Sequence, residues 1–335
     1  MNFGRVGWLI IPWVLFVALA LGWVGYWNYV ASQAERQLTT WQFTQNASGA
    51  QVSHGAIVRH GFPVLLRLEI PNISYTPARA GWRLQTARAD LNVDLLNPQH
   101  IILKAQAPIA VSRADGAVTN VTAQSFVASV RLQGGALAVA GLEADNLVLD
   151  DPAQPGTLTV AKFVANARPD PRHAGDYQLA LEANNLTLPR PVRSLETFGL
   201  NAPLLRGAIV VEHGAALLQG SQGDPLGPWR EAGGKLRFEA LDLQWGPLQT
   251  SATGEGELDA ARRLEGRLVI PVARPAPVLS AIADGQNVSN DARSALQLLA
   301  AGYLVTGRQI TLDVGAHNGV LTIESIPVRA LPAVY

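Results

Sequence analysis

From Val6 to Ala34 the chain carries no charged side chain, and nothing else in it constrains the fold as strongly. The apolar heart, Val6 to Val30, is 25 residues long. As a helix it would reach about 37 Å at about 1.5 Å per residue. That is enough to cross a hydrocarbon core of about 30 Å with some tilt. Trp8 and Trp13 lie towards one end, and Trp23, Tyr26, Trp27 and Tyr29 crowd the other. Aromatic rings favour the headgroup boundary, so Trp23, Tyr26, Trp27 and Tyr29 are expected at the membrane interface, with Arg5 at the opposite side. Arg5 is the only charge before the segment and favours an amino terminus held in the cytoplasm. The competing reading is a cleaved signal peptide, because Ala18-Leu19-Ala20 fits the small-x-small rule. Cleavage there would leave Leu21-Gly22-Trp23-Val24-Gly25-Tyr26-Trp27 as a new apolar terminus, so an uncleaved anchor over residues 1–30 is expected.

A polar helical extension follows over 31–48. Leu38, Trp41 and Gln45 fall at helical spacing, giving one stripe that can pack on the next domain, and Ala47-Ser48-Gly49 reads as a helix stop. Beyond Gly49 the dominant period is two. Leu91, Val93 and Leu95 alternate with Asp90, Asn92 and Asp94. Ile101 and Leu103 lead to Ile109 and Val111. Leu179 and Leu181, Leu236 and Phe238, and Ile310, Leu312 and Val314 repeat the pattern. Alternation of this kind predicts antiparallel strands with one dry and one wet face. Turn chemistry separates them, most clearly at Asn318-Gly319. A weak repeat joins Glu143–Leu149, Glu182–Leu188 and Glu239–Trp245, with Ala89–Val93 as a shorter cousin. Helices are expected over Pro275–Ala283 and Ser289–Leu304, the second capped by Ser289, with short helical turns at Arg193–Phe198 and Pro225–Ala232.

The fold class read from this pattern is mainly β. A transmembrane helix precedes a long curved antiparallel β-meander, a groove or a rolled sheet, with a few peripheral helices. Pro189-Arg190-Pro191 suggests a break between a first β-rich half, 50–190, and a second, 191–335, that carries the helices near 275–304.

Chemistry is sparse. The chain has 26 Lys+Arg, 26 Asp+Glu and no cysteine. Zero net charge argues against nucleic acid as a partner, and the missing cysteines exclude disulfides, thiolate metal sites and a thiol nucleophile. The six histidines stand in no metal-binding spacing, and no phosphate loop, dinucleotide fingerprint or serine elbow is present. Gly254-Glu255-Gly256-Glu257-Leu258-Asp259 is the nearest approach to an acidic constellation. It reads as the solvated side of a strand, with a Ca²⁺ site as the alternative. No enzyme activity, cofactor or metal is expected.

One resemblance emerges from the order of short motifs. His60-Gly61-Phe62-Pro63-Val64-Leu65-Leu66-Arg67-Leu68 is followed by Trp82, Ala89-Asp90-Leu91 and Asn97-Pro98-Gln99-His100-Ile101. Late in the chain come Trp229, Gly233-Gly234-Lys235-Leu236, Leu243-Gln244-Trp245-Gly246-Pro247-Leu248 and Gly254–Asp259. This order resembles the proteobacterial family catalogued as domain of unknown function 2125. That family's late Asp-Gly-x-x-x-Leu-Gly stands here as Asn318-Gly319 followed by Ser325-Ile326-Pro327. More distantly, an anchor followed by an Ala- and Leu-rich meander is similar to AsmA-like envelope proteins. Those resemblances imply a single-pass protein of the bacterial inner membrane with its main domain in the periplasm. They imply a β-groove that handles lipid or maintains the envelope. The partners implied are the membrane, a phospholipid or other acyl-chain ligand, and an envelope protein. Residues expected to line the groove are Leu91, Val93, Leu95, Ile101, Leu103, Leu179, Leu181, Leu236 and Phe238. The alternative is a structural subunit of an envelope or secretion assembly that uses exposed strand edges.

Overall fold

In the computed structural model, residues 3–78, 81–134, 136–152, 156–191, 198–219, 224–246, 248–285, 288–306 and 309–335 are described. The backbone opens with one uninterrupted helix, α1 (Phe3–Ala47), of 45 residues. At about 1.5 Å per residue it is roughly 68 Å long, far more than a membrane requires. Ile11 to Gly22 is solvent-facing on all sides, as an apolar helix awaiting lipid would be. From Trp23 onward the helix lies on the sheet, and Trp41 stacks on Tyr75 at 6.3 Å. Gln42 Nε2 donates to the Val52 carbonyl at 3.0 Å. The polar extension is therefore a docked rail along the domain and not a free stalk.

Eighteen strands follow in one antiparallel sheet. They are β1 (Gln51–Ser53), β2 (Val58–His60), β3 (Leu66–Thr76), β4 (Trp82–Val93), β5 (His100–Ala105), β6 (Ile109–Arg113), β7 (Val118–Thr122), β8 (Ser125–Gln133) and β9 (Ala136–Asp150). Then come β10 (Thr157–Pro169), β11 (Tyr177–Thr187), β12 (Asn201–Val211), β13 (Lys235–Trp245), β14 (Leu248–Leu258), β15 (Leu264–Val272), β16 (Ile310–His317), β17 (Val320–Ile323) and β18 (Ile326–Ala330). Three pairs of short strands are broken halves of single passes. β1 and β2 both lie along β3, β5 and β6 both lie along β4, and β7 and β8 both lie along β9. Counted so, the topology is a simple up-and-down meander from first strand to last. The turn at Pro189–Pro191 does not divide it, because β11 and β12 pair on either side of that turn, Leu186 opposite Ala202. Among the described pairings, β18 at one border and β1 and β2 at the other are bonded on one side only.

A crease runs across the first strands. On β9 and β11 the ladder lapses at Asn146 and Asn185, which share a level with Ala161 of β10 and Pro203 of β12. On β3 it lapses at Asn72, where Gly55 N, between β1 and β2, reaches the Pro71 carbonyl at 2.7 Å. The breaks at Gln106–Pro108 and Ala123–Gln124 continue the line through the intervening strands. Asn72, Asn146 and Asn185 take φ of 52°, 49° and 52°. Asparagine tolerates this left-handed conformation better than other residues with a β-carbon. Across each the apolar alternation changes phase, from Leu142 and Ala144 to Leu147 and Leu149, and from Leu181 and Ala183 to Leu186 and Leu188. Two of the recurrent sequence segments thus share a physical device, a left-handed Asn. Glu239–Trp245 uses a different one, a bulge next to Phe238. Ala89–Val93 is regular strand.

Among the described residues helices are few: α2 (Gly227–Glu231), α3 (Pro275–Ala283) and α4 (Asn290–Thr306), besides a 3-10 turn at Gly214–Gln219. Most of the helical turn expected at Arg193–Phe198 lies outside the described residues. Ser289 caps α4, its Oγ accepting from Ala292 N at 3.2 Å. Ala292, Leu296 and Ala300 form the buried stripe of α4. Leu296 and Ala300 join Leu279 and Ala283 of α3 in one core with Val272, Leu312 and Ile323 of the last strands. A second core lies under α1, where Trp27, Val30 and Ala31 cover Leu66, Leu68, Val93 and Leu95.

Leu296 is fully buried, so Leu296→Ala is expected to cost about 2–5 kcal/mol in chemical unfolding. At the crease, Asn185→Val is expected to cost about 1–2 kcal/mol, the penalty of a left-handed β-branched residue. Asn185→Gly is expected to leave the midpoint nearly unchanged, and denaturant titration of the two variants separates backbone strain from lost side-chain contacts.

Candidate functional site

In an antiparallel ladder, residues directly opposite one another share a face. One row can be followed by its printed partners from the third strand to the last. It runs Leu66, Val93, Ile101, Val130, Ala140, Ala167, Leu179, Ile209, Phe238, Gly254, Leu268, Val314, Ile323 and Ile326. The adjacent row is Leu68, Leu91, Leu103, Ala128, Leu142, Ala165, Leu181, Gly207, Leu241 and Ala252. Neither contains a polar side chain. Leu91, Val93, Ile101, Leu103, Leu179, Leu181 and Phe238 all fall in these two rows. Leu236 sits in the next, opposite Val211 and Gly256. Leu95 lies just past the end of β4.

The same face is treated differently along its width. At the first end α1 covers it, so Val93 and Leu95 are 5% and 2% exposed and Leu91 packs against that core. This corrects the expectation for Val93 and Leu95: they are closed under the helix and are not available to line a groove. At the last end α3 and α4 cover it. Between these covers, from Ile101 to Gly254, the row residues are half-buried, and the 3-10 turn Gly214–Gln219 reaches over the stretch at Leu179 through Leu217. Leu103 is 37% exposed. This central stretch crosses seven inter-strand gaps, roughly 34 Å at about 4.8 Å each. Two cavities open on it. One of about 220 Å³ is lined by Leu137, Tyr177, Leu179, Val211, Gly214 and Leu217. Its neighbour of about 120 Å³ is framed by Leu236, Phe238, Leu264, Leu268, Val314 and Leu321. Val211 stands opposite Leu236, which joins them. Gly254 permits the close approach of β15, because a β-carbon there would come within 2.9 Å of the Leu268 Cα and 2.1 Å of the Arg267 carbonyl.

The opposite face is charged and cross-linked by strand-to-strand ion pairs. Lys162 meets Glu143 at 3.0 Å, Arg206 meets Asp242 at 2.7 Å, and Arg267 meets Asp313. The Arg267 guanidinium holds the Asp313 carboxyl below its ordinary range. Exposed pairs of this kind are screened by solvent and add little stability, so they mark the wet side more than they hold the sheet. A second feature here has no signal in the sequence: a strip of small side chains, Gly141, Asn166, Ala180, Ala208 and Ala240, crosses five strands at one level. Cavities of about 460 and 260 Å³ lie over it. Only the register brings these residues together.

The acidic run is divided among separate partners. Glu257 faces Lys235 at 3.4 Å, and Asp259 closes the following turn on Arg263 at 2.8 Å. His317 Nδ1 lies 2.7 Å from Glu265 Oε1. Among the described residues, no three His, Asp or Glu side chains are grouped to hold a metal ion.

The aromatic cluster of α1 is engaged by the sheet and its loops. Trp27 is 7% exposed and belongs to the core beneath the helix. Its Nε1 donates to the Leu65 carbonyl at 3.1 Å, Trp23 Nε1 donates to Pro63 at 2.8 Å, and the Tyr26 hydroxyl donates to Leu95 at 2.8 Å. Tyr29 remains exposed, and the Arg5 side chain lies outside the described residues. The physical reason is that the rings sit on the helix face turned towards the sheet, where burial and three carbonyl acceptors are on offer.

With this geometry in hand, comparison with known proteins places the chain. Residues 27–332 match the model of a family described as "Uncharacterized protein conserved in bacteria (DUF2125)", and the chain belongs to that family. No curated protein and no solved structure matches it.

The turn between β10 and β11 yields a test of the rim of this face. The Asp170 side chain is shielded from solvent and accepts from Arg172 N at 2.8 Å and from the Arg172 guanidinium at 2.9 and 3.1 Å. Arg172 in turn reaches Glu239 of β13 at 3.1 Å. The bonds from Arg172 hold the Asp170 carboxyl far below its ordinary value of 3.8. A depressed folded-state pKa adds stability above the unfolded value and loses it as pH falls towards the folded one. Asp170→Asn is therefore expected to unfold more readily than the parent at neutral pH. The gap should narrow as the pH drops below about 3.8, which urea titrations over a pH series will read.

Proposed function

We propose that this protein is a non-enzymatic, membrane-anchored protein of the bacterial envelope whose apolar sheet face shelters acyl chains of a phospholipid. The observation that carries the reading is the unbroken apolar row from Ile101 to Gly254, only half-buried between two helix-capped ends. Soluble surfaces rarely leave contiguous apolar patches beyond a few hundred Å², and larger ones serve binding. At roughly 34 Å the stretch is about twice the depth of one leaflet, taken as half of a core of about 30 Å. An extended acyl chain fits along it. One helix among the described residues is long and apolar enough to cross a membrane, which supports anchoring beside the lipid source. Arg5 as the only preceding charge favours a cytoplasmic amino terminus and a periplasmic domain.

A second reading rests on a different observation. The outer sides of β18 and of β1 and β2 carry no strand among the described pairings, and open edges accept partner strands. In that case the protein is a subunit of an envelope assembly.

Purification from bacterial membranes, followed by mass spectrometry of an organic extract beside a matched control, separates the two. Near-stoichiometric phospholipid is expected with the parent. Leu179→Glu is expected to lose most of it while keeping its unfolding midpoint, since Leu179 is half-exposed on a cavity wall. A lipid-free parent that brings down a stoichiometric protein would replace this reading with the second.

A further inference from the structure

We propose that two loops beside α1, Gly61–Leu65 and Leu95–Pro98, sink into the membrane's outer boundary and seat the sheet on the bilayer, the lipid surface being their partner. The inference rests on the reading of α1 as a membrane span and adds a contact that the span does not supply.

The loops carry apolar side chains that the fold leaves outside. Phe62 is 53% exposed, Val64 79%, Leu65 45% and Leu96 87%. All four lie around the level of α1 at which its solvent-facing apolar run ends and contact with the sheet begins, from Trp23 to Trp27. Phe62 stands edge-on to Trp27 at 5.7 Å between ring centres. The patch is thus continuous with the apolar flank of the helix.

A loop entering a low-dielectric layer must not bring unpaired backbone groups with it. Here they are largely paired in advance. The Pro63, Leu65 and Leu95 carbonyls each accept from an aromatic donor of α1: Trp23 Nε1, Trp27 Nε1 and the Tyr26 hydroxyl. Val64 N and Leu65 N both return to the Gly61 carbonyl, at 3.1 and 3.0 Å, and Pro63 has no N–H. Leu96 N is taken by Asp94 Oδ1 at 2.9 Å. Gly61 makes this closure possible. It has φ of 95°, and a β-carbon on it would fall 2.6 Å from the Leu65 carbonyl. Indole and phenol rings that hydrogen-bond while lying between apolar and polar layers are what the headgroup boundary favours. Trp23 and Tyr26 therefore serve the boundary through the loops they hold.

The chain's lack of cysteine makes the test direct. Single variants Val64→Cys, Leu96→Cys, Leu15→Cys and Asp115→Cys of the full chain are labelled with bimane. They are reconstituted in vesicles of phosphatidylethanolamine and phosphatidylglycerol. Each is then quenched with doxyl lipid or with aqueous iodide. Leu15 lies mid-helix, and Asp115 is a 68%-exposed residue in the β6–β7 turn. Val64 and Leu96 are expected to lose most of their emission to doxyl lipid and little to iodide, with Leu15 behaving alike and Asp115 the reverse. Quenching of Val64 and Leu96 by iodide alone, with Leu15 still quenched by lipid, would overturn the seating and leave the anchor intact. A Leu15 label untouched by lipid would overturn both.

Discussion

A single constraint governs this molecule: in a β-strand the side chains alternate, so a slip of one residue in register would exchange the dry face for the wet one. In a meander this wide the constraint compounds from strand to strand. Leu66 and Ile326 lie at opposite ends of the sheet, yet a ladder of paired residues connects them without a polar interruption. The ion pairs on the other side reinforce the same choice. A slip between β9 and β10, for example, would take Lys162 away from Glu143 and push it towards Ala144 and Leu142.

The bends and covers follow from holding one face dry. Strands as long as β9, with 15 residues, cannot keep a strict period of two through a sharp irregularity without mispairing. Placing the irregularity at one level across neighbouring strands keeps their register intact while each changes phase. Asparagine supplies the left-handed residue on three of them, and Gly55, Pro108 and Pro203 occupy the same line on others, where a missing side chain or a missing N–H is tolerated. Helices then close the two ends of the dry face and leave its middle half-buried. The small residues on the wet side, and Gly207 and Gly254 on the dry side, vary the depth of each surface locally.

Much of this was legible in the sequence because the signals are short-range. The uncharged run at the amino terminus, the alternation at Leu91–Leu95 and Leu179–Leu181, the Asn318-Gly319 hairpin, and the α3 and α4 segments each announce themselves within a few residues. That the apolar positions converge on one face also follows once strands pair in order. Three features did not follow. Trp23, Tyr26 and Trp27 have the composition of an interfacial belt, and nothing local says that a sheet will offer them carbonyls. Val93 and Leu95 look like any other dry-face residues, and only the placement of α1 separates them from Leu179. The strip from Gly141 to Ala240 is assembled from five strands and exists only through register.

Under the function proposed above, these parts form one object: an anchor that docks along the sheet, loops that bring the sheet to the bilayer, and a half-buried apolar face that meets acyl chains in the membrane-bound protein. The most direct measurement places a benzophenone amino acid at Phe163, on the dry face of β10, in the full chain in native membranes, with mass spectrometry of the irradiated protein. The account predicts phospholipid adducts at Phe163 and none from the same probe at Lys162 on the wet face. Adducts to protein alone, or equal lipid capture at both positions, would contradict it.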